Sequence, residues 1–178
     1  MYMDKIILNS EKHDLSGADI LRITDNECKI FPYTALMGMN SLDDILEPYG
    51  ACVLLYETKQ NYGHWVALIK RTSNLLEFYD PYGLNVDEEL NIENEYHIRK
   101  MGGEIMPHLT ALIKKDNYKV IYNKQQIQKL KEDVNTCGRY CALRVRLRDT
   151  TLEKFNNLLT TNKCYDADFW VSVLTILI

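Results

Sequence analysis

The sequence lacks any apolar run able to cross a bilayer. Its most hydrophobic stretch, "FWVSVLTILI" at the C-terminal end, falls well short of the ~20 residues a membrane helix needs. It reads instead as a buried helix or strand, and no membrane partner is expected. Glycine and proline are scarce, at 8 and 4 of 178 residues, which excludes collagen-like and low-complexity chains. No linker, repeat or biased segment interrupts the sequence, so residues 1–178 read as one domain. There is no surplus of positive charge. The count is 21 Lys and Arg against 25 Asp and Glu, net −4, so no general affinity for nucleic acid is implied. Lys114, Lys115, Lys119, Arg139, Arg144, Arg146 and Arg148 are candidates for local basic patches and read as solvated surface. Cysteines number five, an odd count, and no secretory leader precedes them. That pattern fits a reduced intracellular compartment better than a disulfide framework. Cys137 and Cys141 stand one helical turn apart without the second Cys/His pair that a zinc site needs, so no metal is expected.

What is present is an ordinary globular mixture, 46% hydrophobic and 26% charged, with 12 tyrosines. "LSGADILRI" suggests a short helix capped by Ser16, and "NSLDDIL" over 40–46 a second with Asn or Ser at its cap. "KIFPYTALMGM" between them reads as irregular, with Pro32 and Gly38 as breakers. Three strands follow: "ACVLLYE" (51–57), "HWVALIKR" (64–71) and "LLEFYD" (75–80). The last two form an antiparallel hairpin. With its turn centred on Thr72, Asp80 stands directly opposite His64 on one face. Residues 87–101 are polar and weakly helical in pattern. "EIMPHLTALIKK" (104–115) predicts a helix with Pro107 in its first turn, and "YKVIYN" (118–123) a further strand. "CGRYCALRVRLRD" starts a helix with Asn135 or Thr136 at its cap and Cys137 in its first turn. "TTLEKFNNLLTTN" opens on Thr151 and puts Leu152, Phe155, Leu158 and Leu159 on one stripe, and "YDADFWVSVLTILI" closes the chain as a helix.

Cys137 is the residue whose surroundings carry chemistry. A cysteine nucleophile needs an ionised thiol, a base within reach and donors for the oxyanion. The first turn of a helix favours the thiolate through its free N–H groups and dipole. Gly138 leaves room for a substrate carbonyl near the backbone. His64 can act as base, and Asp80 can accept its second ring proton. Each has a plainer reading: a surface histidine at a strand start, an Asx-turn aspartate before Pro81, an inert buried thiol. His13, His97 and His108 are rival bases.

"YGHWVALI", "LEFYDPYG" and "NTCGRYCA", in that order, together resemble the adenovirus-type and Ulp1-type cysteine protease clan. Within it the chain looks most like the maturation proteases of large DNA viruses, virophages and self-synthesising transposons. "MGMNSLDDIL" resembles the segment before the first core strand of that group. The resemblance implies an α+β, papain-like or adenain-like fold, a small mixed β-sheet packed against the helix carrying the nucleophile. It implies Cys137 as nucleophile, His64 as general base, Asp80 as the acid that orients it, and Trp65 and Gly138 lining the substrate cleft. It also implies an upstream glutamine for the oxyanion. Leu130 and Lys131 stand where the family places that residue, so Gln128 is the nearest candidate, with Gln125 and Gln126 as alternatives. The implied activity is peptide-bond hydrolysis without cofactors, after small residues such as Gly. Capsid precursors would be the protein substrates, a DNA or peptide activator a possible partner, and the virion and the host-cell viral factory the location. Two alternatives stand beside it: an isopeptidase acting on ubiquitin- or SUMO-like conjugates, and a catalytically silent structural protein of the virion. A third, weaker reading makes Cys137 and Cys141 redox or metal ligands.

Overall fold

The structure is a computed structural model that describes residues 2–91, 99–100 and 106–178. Its centre is a five-stranded mixed sheet in the order β1-β2-β3-β4-β5, with β1 Lys29–Pro32, β2 Ala51–Lys59, β3 Tyr62–Thr72, β4 Leu75–Tyr79 and β5 Lys119–Tyr122. The inner pairs β2–β3 and β3–β4 are antiparallel, and the outer pairs β1–β2 and β4–β5 are parallel. The helices are α1 Tyr2–Ser10, α2 Gly17–Ile23, α3 Asp43–Leu46, α4 His108–Lys115, α5 Cys137–Arg146, α6 Leu152–Thr160 and α7 Ala167–Ile176. The molecule is thus α+β, a mixed sheet packed against helices, as the sequence predicts.

Strict alternation along the strands divides the interior in two. Ala51, Val53 and Leu55 of β2, with Trp65, Ala67 and Ile69 of β3, face α2, α5, α6 and α7. Cys52, Leu54 and Tyr56, with Val66 and Leu68, face the opposite layer of α3, α4 and the 3₁₀ turn Tyr33–Gly38. Both faces are covered, which is why β2 reads as a continuous apolar run rather than an alternating one.

Several local expectations need correction. "KIFP" is an edge strand, not irregular chain. Its Ile30 and Phe31 pair with Val53 and Leu54, and Pro32 ends it, where a missing N–H costs the ladder little. The cap before α3 runs the other way from the sequence reading. Asp44 inside the helix accepts the N–H groups of Asn40 and Ser41 at 2.7 and 3.0 Å, and no cap side chain bonds the helix. Leu158 is 54% exposed, so the α6 stripe is Leu152, Phe155 and Leu159. Residues 2–10 form a helix that the mixed N-terminal composition concealed. Among the described residues of the polar stretch 87–101, Glu88–Asn91 form a 3₁₀ turn and residues 99–100 are helical, while residues 92–98 and 101 lie outside those described. By contrast, α2 starts as expected, with Ser16 and Asp19 in a reciprocal capping box, and Thr151 caps α6 through Lys154 N–H.

Two of the arginines expected at the surface are interior. Arg144 is 0% exposed and grips Glu77 of β4 through Nε at 2.7 Å. Arg139 is buried and donates to Thr175 Oγ1 and the Ser10 carbonyl. Arg146 and Arg148 pair with Asp25 and Glu27. These four cations tie α5 and the turn after it to their surroundings instead of forming a free basic patch.

Candidate active site

The hairpin of β3 and β4 sets the first half of the site. Its ladder pairs Ala67 with Tyr79 and Leu68 with Phe78, and a bulge lies between Lys70 and Thr72. The chain turns at Ser73–Asn74, beyond the expected centre at Thr72, and the bulge takes back only one residue of that shift, so Asp80 is not directly across from His64. Continued outward, the observed register brings Tyr82 level with His64 and makes Asp80 its diagonal neighbour on the same face. Both relationships are realised. The Tyr82 ring stacks on the imidazole at 4.5 Å between centroids, and His64 Nε2 lies 2.9 Å from Asp80 Oδ1. Asp80 Oδ1 also accepts the Tyr82 N–H at 2.7 Å, the Asx-turn bond expected of "DPYG". One oxygen therefore holds both the turn and the ring.

The second half comes from α5. Cys137 is its first residue, 8% exposed, at the end where helical N–H groups lack intrahelical partners. Thr136 before it offers the helix no side-chain cap. Its hydroxyl donates instead to Asp168 of α7 at 2.5 Å. Asp168 also accepts the Lys129 N–H at 3.1 Å, so one buried carboxylate ties both ends of the 129–136 loop.

His64 and Cys137 act on one another. Burial opposes a charge on the imidazole. Hydrogen bonding and Coulombic attraction from Asp80 and from Cys137 outweigh it and hold His64 well above the ordinary histidine pKa. Asp80 takes Nε2, which leaves Nδ1 as the remaining ring nitrogen. Tyr82 registers the same proximity: burial, then the negative charge of Cys137, push its hydroxyl pKa upward.

Trp65 follows His64 on β3 and points to the other face. Its Nε1 donates to the Leu15 carbonyl at 3.1 Å, and its ring lines a cavity of about 360 Å³ with Ser16, Gly17, Ile30, Leu55 and Glu57. Gly138 is explained by this packing. A Cβ there would meet Leu15 Cβ and Trp65 Cδ1, both at 3.1 Å. The glycine lets α5 approach the Trp65 layer, a reason the sequence reading did not include. Gln128 is buried; its Nε2 donates to Tyr82 Oη at 3.1 Å and to the Val134 carbonyl at 3.3 Å. Gln125 and Gln126 are exposed. Among the rival bases, His13 is exposed and His97 lies outside the described residues. His108 starts α4 on the far side of the sheet. Cys141 is sealed in the core with Sγ on the Trp65 carbonyl at 3.2 Å, so it does not share a ligand site with Cys137.

Sequence reading overlooked three residues. Tyr82 sits in the quoted turn, and the bulged register would have found it. Glu89 and Asp168 left no local signal. Glu89 approaches His64 and Asp80, with burial the largest influence in raising its carboxyl pKa.

No protein-family model matches the chain. It is similar to a protein of Sputnik virophage named "Uncharacterized protein V9", 39% identical over 169 residues, covering 93% of this chain and 96% of that protein. Among the described residues no helix is long and apolar enough to cross a membrane.

Proposed function

This chain belongs to the family of the Sputnik virophage protein V9, and we propose that it is a cysteine endopeptidase of papain-like, adenain-like fold that processes viral structural precursors. One observation carries the reading: an imidazole bonded to a buried carboxylate on one side and drawn to the thiol at a helix N-terminus on the other. That order of groups is what acyl transfer by a cysteine needs.

In the proposed reaction the Cys137 sulfur attacks the scissile carbonyl while His64 carries the proton. The Cys137 N–H and the Gln128 amide take the oxyanion, Gln128 exchanging its bond to Tyr82 for it. His64 then gives its proton to the leaving amine, and water activated by the same ring releases the acyl group. Asp80 keeps the ring's tautomer fixed and Tyr82 keeps its plane. The Trp65 and Gly138 wall favours small residues, glycine foremost, before the cut, because little space separates helix and strand there. Chemistry of this kind needs no metal or organic cofactor.

The test is cleavage mapping on virophage capsid precursors with wild type and Cys137→Ala. Specific cleavage lost in the variant supports the proposal, and equal cleavage by both overturns it. Hydrolysis confined to ubiquitin- or SUMO-type conjugates would move the same site to an isopeptidase. A second reading, a catalytically silent virion protein, draws on the burial of Cys137 within the core cluster around α5. It predicts that neither substrate class is cut.

A further inference from the structure

The carboxylate side of the site holds more than the proposed reaction uses. Asp80 is 1% exposed, and its carboxylate makes both of its described bonds through Oδ1, to His64 and to the Tyr82 N–H. Its Oδ2 is buried and has no hydrogen-bond partner. Glu89 Oε2 is likewise buried without a partner. The turn that carries Glu89 is pinned two residues earlier by Asp87, whose carboxylate accepts from Tyr33 Oη at 2.7 Å, Tyr56 Oη at 3.2 Å and the Thr110 N–H at 2.8 Å. Glu89 is therefore delivered to the site by an anchored segment. One donor atom from each of His64, Asp80 and Glu89 falls within 4.8 Å of the other two.

Two buried carboxylate oxygens converging on an imidazole nitrogen make a trap for positive charge. Within the described residues this is the one such grouping of ligating side chains. We propose that His64, Asp80 and Glu89 form an inhibitory site for a divalent transition-metal ion, Zn²⁺ foremost. One imidazole and two carboxylates suit Zn²⁺ better than Mg²⁺ or Ca²⁺, which take all-oxygen shells. Ligands ~2.0–2.2 Å from a tetrahedral zinc stand about 3.4 Å apart, so about an ångström of side-chain adjustment closes the site. The open side of the tetrahedron is left for water.

Binding does not depend on the peptidase reading; only its consequence does. The ring's Nε2–H bond breaks, the proton leaves to solvent, and a metal–Nε2 bond forms. Asp80 passes from the imidazole to the ion. The one remaining ring proton sits on Nδ1, the nitrogen that the proposed reaction uses toward Cys137. In that state the ring can neither accept the thiol proton there nor cede its last proton to a leaving amine without becoming an imidazolate. The ion would hold the site shut until a chelator removed it.

The experiment is titration of the whole chain with Zn²⁺ against a chromogenic chelator, with circular dichroism confirming that each variant is folded. One ion per chain is expected, bound equally well by wild type and Cys137→Ala. Affinity falls at least about tenfold in Glu89→Gln, since even the outer partners of metal ligands are worth that much, and Glu89→Asp, with its shorter reach, falls between. Loss of binding in Cys137→Ala would assign the ion to the thiol–imidazole pair and overturn the proposal. Equal affinity in wild type and Glu89→Gln, or no binding, would also overturn it. The two readings separate cleanly. A chain that binds zinc as described but cleaves no substrate keeps this site and loses the peptidase. A peptidase inhibited by zinc equally in wild type and Glu89→Gln does the reverse.

Discussion

Asp168, on a helix near the end of the chain, accepts the hydroxyl of Thr136, the residue immediately before Cys137, at 2.5 Å. The same carboxylate accepts the Lys129 N–H, next to Gln128. The position of the thiol and that of the nearest buried amide thus depend on one side chain. Replacing it in Asp168→Ala strands two donors, and the expected loss is about 1–3 kcal/mol by urea unfolding. That loss should depend on pH with a definite sign. Burial raises the Asp168 pKa above its ordinary 3.8, so the folded state holds this proton more tightly than the unfolded one. Its contribution is full below that ordinary value and declines as pH rises through the raised one. The stability gap between wild type and Asp168→Ala should therefore narrow with rising pH. A gap that widens would show that the carboxylate is favoured by folding.

Gly138→Ala sets two effects against each other. Helix propensity favours alanine by about 1 kcal/mol. The new methyl, however, meets Leu15 Cβ and Trp65 Cδ1 at 3.1 Å. Neither atom yields easily, because one lies beside backbone and the other belongs to a ring held by its Nε1 bond to the Leu15 carbonyl. Overpacking of about 1–3 kcal/mol should prevail. A net loss near 1 kcal/mol, with a shift in tryptophan emission, is expected in thermal or urea unfolding. A gain in stability would show that α5 can slide away from the sheet.

Glu77 holds two arginines, Arg71 and the fully buried Arg144. Glu77→Gln leaves Arg144 charged in the interior without its counter-ion, held by the carbonyls of Leu147 and Thr150 and the face of the Phe155 ring. Breaking a buried pair from one side costs about 3–5 kcal/mol, and this should be the most damaging of the substitutions named here in denaturant unfolding. A change below about 1 kcal/mol, the range of exposed pairs, would mean that water reaches the α5–β4 interface.

Thiol labelling separates an activated Cys137 from an inert one. Cys164 is the exposed thiol and Cys28, Cys52 and Cys141 are buried. At neutral pH, iodoacetamide should modify Cys137 faster than Cys164 despite its burial. His64→Ala should slow Cys137 by at least about tenfold, the scale of thiolate activation, and leave Cys164 unchanged. Peptide mapping by mass spectrometry reads both rates. Labelling of Cys164 alone would favour the silent virion protein.

Much of the local structure was legible in the residues themselves. β2, β3 and β4 follow from dense apolar runs broken by turn residues, and α2 and α6 from Ser16 and Thr151 at their caps. Cys137 at the start of a helix follows from the spacing after it. These features depend on burial pattern and backbone chemistry within a few residues, which sequence records directly. The relationships that make the candidate site are of another kind. His64 meets Asp80 diagonally because the hairpin turns at Ser73–Asn74 and carries a bulge between Lys70 and Thr72, and register steps of that size leave almost no trace in composition. Glu89, Asp168 and the Glu77–Arg144 pair join segments remote in sequence, and Gly138 is small because Leu15 and Trp65 stand over it. Local sequence thus determined which segments fold and which face each one buries. Only tertiary packing decided which charges meet, because that depends on how the whole chain closes around the sheet.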